Sequence, residues 1–204
     1  MSKFLLGFSL IVTVMIVASP SKAQERRGGG RRSQAVPGKE LPHPPKVDDD
    51  APIFELKNLE DQVVSLKELA EKGPVVMLVL RGWPGYQCPI CNRQVGEFMS
   101  KQAEFEKAGA SLVMIYPGPV DLLAEHAKEF QGAKEFPEHF HYVIDPDYTF
   151  TNAWGLRWEA PRETAYPSTF VVGKDLKVKF GITSTSHGGR ASAADVLNEL
   201  EKLK

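Results

Sequence analysis

The sequence predicts an α/β protein, a three-layer sandwich with one core and a mixed central sheet covered by helices on both faces. Two observations carry this. Residues 75–80, Val-Val-Met-Leu-Val-Leu, form an unbroken apolar run of strand length, the pattern of a strand buried on both faces. Around that run, strand-type and helix-type segments alternate, and the chain closes with a hairpin and an amphipathic helix. No internal repeat interrupts this order.

The elements follow from local chemistry. Ala51 opens the globular pattern; Phe54, Leu56 and Val63-Val64 indicate short strands, and Ser65 stands where a cap would start a helix over 66–71. After the buried strand, a helix is expected over 91–108, with Val95, Phe98, Met99, Ala103 and Phe105 as its apolar stripe. Residues 111–116 are strand-type and 120–130 helix-type. Tyr142-Val143-Ile144 is a strand ended by the turn signal Asp145-Pro146-Asp147. Phe170-Val171-Val172, Gly173-Lys174-Asp175 and 176–182 form the hairpin, and 191–203 the last helix.

Composition narrows the function. The chain has 204 residues, 42% of them apolar, enough for one domain with accessories. With 25 Lys+Arg against 26 Asp+Glu the net charge is −1, which argues against a nucleic-acid partner. Two cysteines build neither a disulfide-dense scaffold nor, unaided, a four-thiolate zinc site. Residues 1–23 have the marks of a secretory signal peptide: Lys3, a mostly apolar run over 4–18, then Ser21-Lys22-Ala23 with small residues at −3 and −1 of a cleavage point. Retention as an anchor is the alternative. Residues 24–50 read as a flexible tether carrying Arg26, Arg27, Arg31 and Arg32 around a glycine triplet, then four prolines and three aspartates. Those arginines are suited to contact an anionic membrane or cell-wall surface. The domain is expected over 51–204, in an exported protein, periplasmic or extracellular.

Both cysteines fall in Arg81-Gly82-Trp83-Pro84-Gly85-Tyr86-Gln87-Cys88-Pro89-Ile90-Cys91, where the buried strand hands over to a helix. Chemistry in open α/β sheets gathers at such carboxyl ends. A Cys-x-x-Cys spacing on a first helical turn brings two sulfurs within bonding reach, and the helix start favours thiolate over thiol. Arg81 and Arg93 would add to that field. Reversible dithiol/disulfide chemistry is the reading this supports, without a metal or other cofactor. A structural disulfide, half of a zinc site, and a copper site completed by a distant histidine stay open beside it.

From Ala51 onward the chain also resembles the thioredoxin-like superfamily, in particular its peroxiredoxin branch (alkyl hydroperoxide reductase/thiol-specific antioxidant, redoxin). Ala51-Pro52-Ile53-Phe54-Glu55-Leu56, Asp145-Pro146-Asp147 with Ala153-Trp154-Gly155-Leu156, and Tyr166-Pro167-Ser168-Thr169-Phe170 carry the resemblance. It implies a thioredoxin-like fold, a cis Pro167 packed against the cysteine pair, and Thr169 beside it. The branch's Pro-x-x-x-Thr-x-x-Cys frame fits Pro84 and Cys91, with Cys88 where the threonine belongs. In that register Cys91 attacks a peroxide and Cys88 resolves the sulfenic acid. In the thioredoxin register Cys88 attacks a disulfide and Cys91 resolves. The branch's usual arginine is missing beside the Phe170 strand, leaving Arg81, Arg157 or Arg162 as stand-ins. The loop Ser184–Ser186, His187-Gly188-Gly189-Arg190 is expected to border the cysteines, with His187 or Arg190 tuning a thiolate; Trp83 and Tyr86 are candidates for substrate docking. The expected activity is peroxide reduction by an exported antioxidant enzyme, re-reduced by an external thiol such as a thioredoxin-like protein. Disulfide exchange on exported proteins, or a non-catalytic copper- or partner-binding module, are the alternatives.

Overall fold

A computed structural model describes residues 43–204. The expected signal segment and the arginine-rich part of the tether lie outside the described residues. Thirteen elements follow in order: β1 (Glu55–Asn58), β2 (Val63–Ser65), α1 (Leu66–Lys72), β3 (Val75–Val79), α2 (Pro89–Ser100), α3 (Gln102–Lys107), β4 (Ser111–Gly118), α4 (Leu123–Gln131), β5 (Phe140–Pro146), α5 (Thr149–Ala153), β6 (Ser168–Val172), β7 (Val178–Thr183) and α6 (Ala193–Glu201). They build one seven-stranded sheet in the order β2-β1-β5-β4-β3-β6-β7. β3, β4 and β5 run parallel, β1 and β6 pair antiparallel with this central trio, and the edge strands β2 and β7 pair antiparallel with β1 and β6 in turn, so the sheet is mixed as the sequence implies.

The period of two in β3 explains the three layers. Val76, Leu78 and Leu80 pack with Val95 and Phe98 of α2, Ala127 of α4 and Val196 of α6. Val75, Met77 and Val79 face the opposite layer, with Leu66 and Leu69 of α1 and Phe150 of α5. Every residue of β3 is buried, which is why its sequence shows no alternation.

Four local features differ from the sequence reading. The helix expected over 91–108 is two helices: Ser100 Oγ donates back to the Glu97 carbonyl (2.7 Å), Lys101 leaves helical dihedrals, and Ala103 turns out to be exposed. β5 runs through Asp145-Pro146 instead of stopping before them, and pairs with Pro117 and Gly118. The unforeseen α5 starts on the Asp145 carboxylate, which accepts from Phe150 N (2.7 Å) and Thr151 N (3.0 Å). Finally, the last residues of the expected tether are bonded to the domain: Asp48 N donates to the Val178 carbonyl (2.8 Å) and Val178 N to that of Asp49 (3.0 Å), covering part of the β7 edge.

Candidate active site

The site forms where β3 ends. Leu80 N still donates to the Ile115 carbonyl, and the chain then turns through Gly82, at φ +65°. A Cβ there would lie 1.8 Å from the Pro117 carbonyl oxygen, so only glycine lets this loop lie against the end of β4. Pro89 occupies the first turn of α2, where its missing N–H costs nothing, and Cys88 is the N-cap. The Cys88 sulfur accepts the Cys91 N–H at 3.3 Å, doing what a cap oxygen does elsewhere. Gln87 ties the loop to the next layer: its Nε2 donates to the His126 carbonyl (2.8 Å), and its Oε1 accepts from buried Tyr116 (3.0 Å). Trp83 stacks on His126 with ring centroids 4.1 Å apart.

Three donors converge on the Cys91 sulfur. Arg190 presents Nη1 and Nη2, each at 3.4 Å, and Arg81 N lies at 3.5 Å. Arg190 Nη2 also lies 3.9 Å from the Cys88 sulfur, so one guanidinium spans the pair. It is held there by Gln94 Oε1, which accepts from Nη1 (2.9 Å), and by the His187 carbonyl, which accepts from Nε (3.1 Å). Gln94 is fixed in turn by donating to Thr169 Oγ1 and the Ala191 carbonyl, both at 3.3 Å.

The two thiols are driven apart. A hydrogen bond from the Cys91 thiol, outweighing burial, brings the Cys88 thiol down to about 5; the Cys91 N–H and the charges of Arg190 and Arg81 add to it. Burial, and then donation to Cys88, push Cys91 well above its ordinary value. The result is a thiolate at Cys88 with a protonated partner one turn into the helix. Both cysteines are buried, at 2% and 1% exposure, and half-buried Arg190 lies across their sulfurs.

Arg81 is itself buried (1% exposed), and its guanidinium bonds to other groups, acting on the Cys88 sulfur through its charge alone. It donates to Tyr86 Oη (2.8 Å), the Arg162 carbonyl (2.9 Å) and Glu163 Oε2 (2.8 Å). Glu163 Oε1 lies 2.9 Å from His187 Nε2. Among the described residues the guanidinium that reaches the sulfurs is therefore that of Arg190. Arg81 helps through its main chain, Arg162 gives only a carbonyl, and Arg157 sits over the Tyr148 ring at 3.8 Å.

Other expectations need correcting. Pro167 is trans, there being no cis peptide bond among the described residues. Its carbonyl accepts Ser184 N (2.9 Å), which carries the β6–β7 pairing toward the Arg190 loop. Thr169, through Gln94, is what connects this segment to the sulfurs. Arg93 is exposed on the outer side of α2, and the donors to sulfur come from elsewhere. Pro84 is half-exposed in the loop; Tyr86 is exposed and serves as acceptor for Arg81. His187 is bound to Glu163 and not to a thiol. Among the described residues no group of three or more His, Cys, Asp or Glu is arranged to hold a metal ion. Gln94 and Glu163 are the site residues that the sequence did not single out. Gln94, three residues beyond Cys91 on the same helix face, had a readable signal; Glu163 had none.

Comparison with known proteins places the fold. The family model described as AhpC/TSA family matches residues 47–180. No curated protein matches the chain in sequence. Among solved structures, peroxidoxin BcpB from Mycobacterium tuberculosis is 24% identical, with TM-score 0.59 over 78% of this chain and 99% of that one. Reduced Prx3 from Vibrio vulnificus in complex with hydrogen peroxide is 16% identical, with TM-score 0.63 over 76% and 98%. A yeast mitochondrial 1-Cys peroxiredoxin, solved to explain thiol resolution through glutathione and thioredoxin systems, is also 16% identical, with TM-score 0.61 over 78% and 73%. These likenesses establish the thioredoxin-like peroxiredoxin fold.

Proposed function

The chain belongs to the AhpC/TSA family and is a thiol oxidoreductase, and on that premise we propose that it reduces peroxides through a Cys88–Cys91 dithiol/disulfide cycle. The observation that carries the proposal is the single guanidinium of Arg190 spanning both sulfurs; the opposite shifts of the two thiols, down for Cys88 and up for Cys91, choose Cys88 as the attacker. In the first step the Cys88 thiolate attacks the terminal peroxide oxygen. The S–O bond forms, the O–O bond breaks, and the leaving alkoxide or hydroxide takes a proton from solvent, Cys91 keeping its own for the next step. Arg190 is the donor best placed to stabilise that departing charge. Cys91 then attacks the Cys88 sulfenic acid, water leaves, and the disulfide closes. An external dithiol restores both thiols and is itself oxidised.

Peroxide as substrate is supported by the family and by the peroxide bound to the Vibrio relative. A thioredoxin- or glutathione-type reductant is supported by the systems that serve the yeast relative. The covered sulfurs also favour a small oxidant over a protein disulfide. Residues 1–23 support export, and the arginines at 26, 27, 31 and 32 support contact with an anionic surface at the membrane.

One observation favours the opposite register, with Cys91 as attacker: both terminal nitrogens of Arg190 reach its sulfur. Stopped-flow oxidation of the reduced protein by hydrogen peroxide separates the two. With Cys88 as attacker, Cys91→Ser consumes one equivalent rapidly and stops at a trappable sulfenate, while Cys88→Ser reacts no faster than free cysteine. The reverse pattern establishes the Cys91 register. Slow oxidation of the wild type overturns the peroxidase reading itself.

A further inference from the structure

Glu163 touches neither sulfur, yet it is placed to hold both walls of the site. It lies at the end of a small turn over 157–165, closed by the Arg157↔Ala165 bridge and by Trp158 N donating to the Thr164 carbonyl (3.1 Å). Its side chain is 13% exposed. One carboxylate oxygen accepts from Arg81, in the loop after β3; the other meets the His187 ring, in the loop before α6. Behind that ring stands Trp158 (centroids 5.7 Å apart), itself stacked on Tyr166 (4.6 Å, 4°). The His187 carbonyl accepts from Arg190 Nε, and Arg190 lies on the sulfurs. An unbroken run of contacts thus leads from carboxylate to imidazole to main chain to guanidinium to thiol.

We infer that Glu163 is a positioning residue for the thiol pair: by gripping the His187 ring it fixes the 184–190 loop so that Arg190 lies across both sulfurs, and by gripping Arg81 it steadies the segment whose N–H reaches Cys91. The inference rests on the proposed role of the two cysteines, but it is testable without peroxide. A carboxylate suits the task because it offers a separate oxygen to each loop, and it offsets the charge of a buried guanidinium that has no other anionic partner among the described residues. The loop's own bonds are short-range, the Ser184 hydroxyl lying against the carbonyls of Ser186 and Gly188, and they do not reach the Arg81 side of the site as Glu163 does.

The sign of the effect distinguishes positioning from charge alone. The groups facing the Cys88 sulfur are the Cys91 thiol, the guanidiniums of Arg190 and Arg81, and the start of α2. Removing an anion from this neighbourhood, with nothing else moving, leaves the arginine charges less compensated and lowers the thiolate midpoint. Releasing Arg190 raises it.

The test uses the reduced full-length protein and the variants Glu163→Gln, His187→Ala and Arg190→Met, alone and paired. The thiolate midpoint is read from ultraviolet thiolate absorbance against pH, and reactivity from the rate of alkylation by iodoacetamide slightly above the wild-type midpoint. Glu163→Gln and His187→Ala each raise the midpoint by about one unit and, at that pH, slow alkylation about fivefold through the smaller thiolate fraction. Adding Glu163→Gln to Arg190→Met changes the rate by no more than about twofold, because the arginine it acts through is gone. His187→Ala leaves the Arg81 partner in place and so reports on the loop even if Glu163→Gln folds poorly. A midpoint that falls or stays put in both single variants overturns the inference, as does full additivity in the double variant. A protein that shows these shifts but does not consume peroxide keeps the positioning role and loses the peroxidase reading.

Discussion

Two corners of the sheet each bury a charge, and they do so in opposite ways. At the end of β5, Asp145 (0% exposed) spends its carboxylate on Phe150 N, Thr151 N and Thr151 Oγ, all within six residues. At the end of β3, Arg81 reaches Tyr86 nearby, but its other partners lie 81 and 82 residues along the chain, and its Nε has no acceptor among the described residues. A charge satisfied locally shapes a turn and starts a helix. A charge satisfied from a distance ties separate loops together, here the loops that surround the cysteines. On the proposed mechanism the first corner is structural, and the second serves the chemistry.

Substitutions at the two corners should break differently, and the largest effect belongs to the thiols. Cys88→Ser is expected to lower peroxide consumption by roughly a thousandfold or more, with Cys91→Ser halting after one turnover; thiol and peroxide loss followed together check this. Arg190→Met should slow the peroxide step by on the order of a hundredfold, with little change in Tm. Asp145→Ala should do the converse: a loss of about 3 kcal/mol in denaturant unfolding, from hydrogen bonds to a buried carboxylate, with the thiolate titration unmoved. If Asp145→Ala shifted the thiolate as far as Arg190→Met does, the contrast between the corners would be lost. The smallest effect is expected between them, at the start of α6. Ser192 and Asp195 form a reciprocal cap there, and Ser192→Ala should cost about 1 kcal/mol in thermal unfolding without changing reactivity.

The comparison also sets a pH dependence. The folded-state pKa of Cys88 lies below that of a free thiol, so its ionisation stabilises the reduced fold. That contribution is fully present above the pKa of the unfolded thiol. It is lost as pH falls through the folded midpoint near 5. Measured by calorimetry, the Tm of the reduced protein relative to Cys88→Ser should rise from acid toward alkaline pH. A difference independent of pH would mean that Cys88 is an ordinary thiol.

What the sequence revealed follows the range of the forces involved. The β3 run, the helix stripes apart from exposed Ala103, and the β6–β7 hairpin are local patterns of burial, and they were legible in the sequence. So was the placing of Cys88 and Cys91 at a helix start, and so was the proximity of the 184–190 loop, through the family resemblance. The break at Lys101 and the start of α5 on Asp145 depend on single side-chain bonds to the main chain, which periodicity does not register. Glu163 escaped because its meaning lies in two partners from distant loops. A lone glutamate after an arginine carries no pattern. The choice of Arg190 over Arg81, Arg157 or Arg162 had the same obstacle: all four are cations near the motif in the fold, and only the geometry tells which guanidinium meets sulfur.

The account turns on where the negative charge sits in the reduced pair, and a pH titration of thiolate absorbance in wild type, Cys88→Ser and Cys91→Ser measures that directly. A midpoint near 5 in the wild type that vanishes in Cys88→Ser is the expected result. A low midpoint that survives in Cys88→Ser, or titration of both thiols in the ordinary alkaline range, would contradict it.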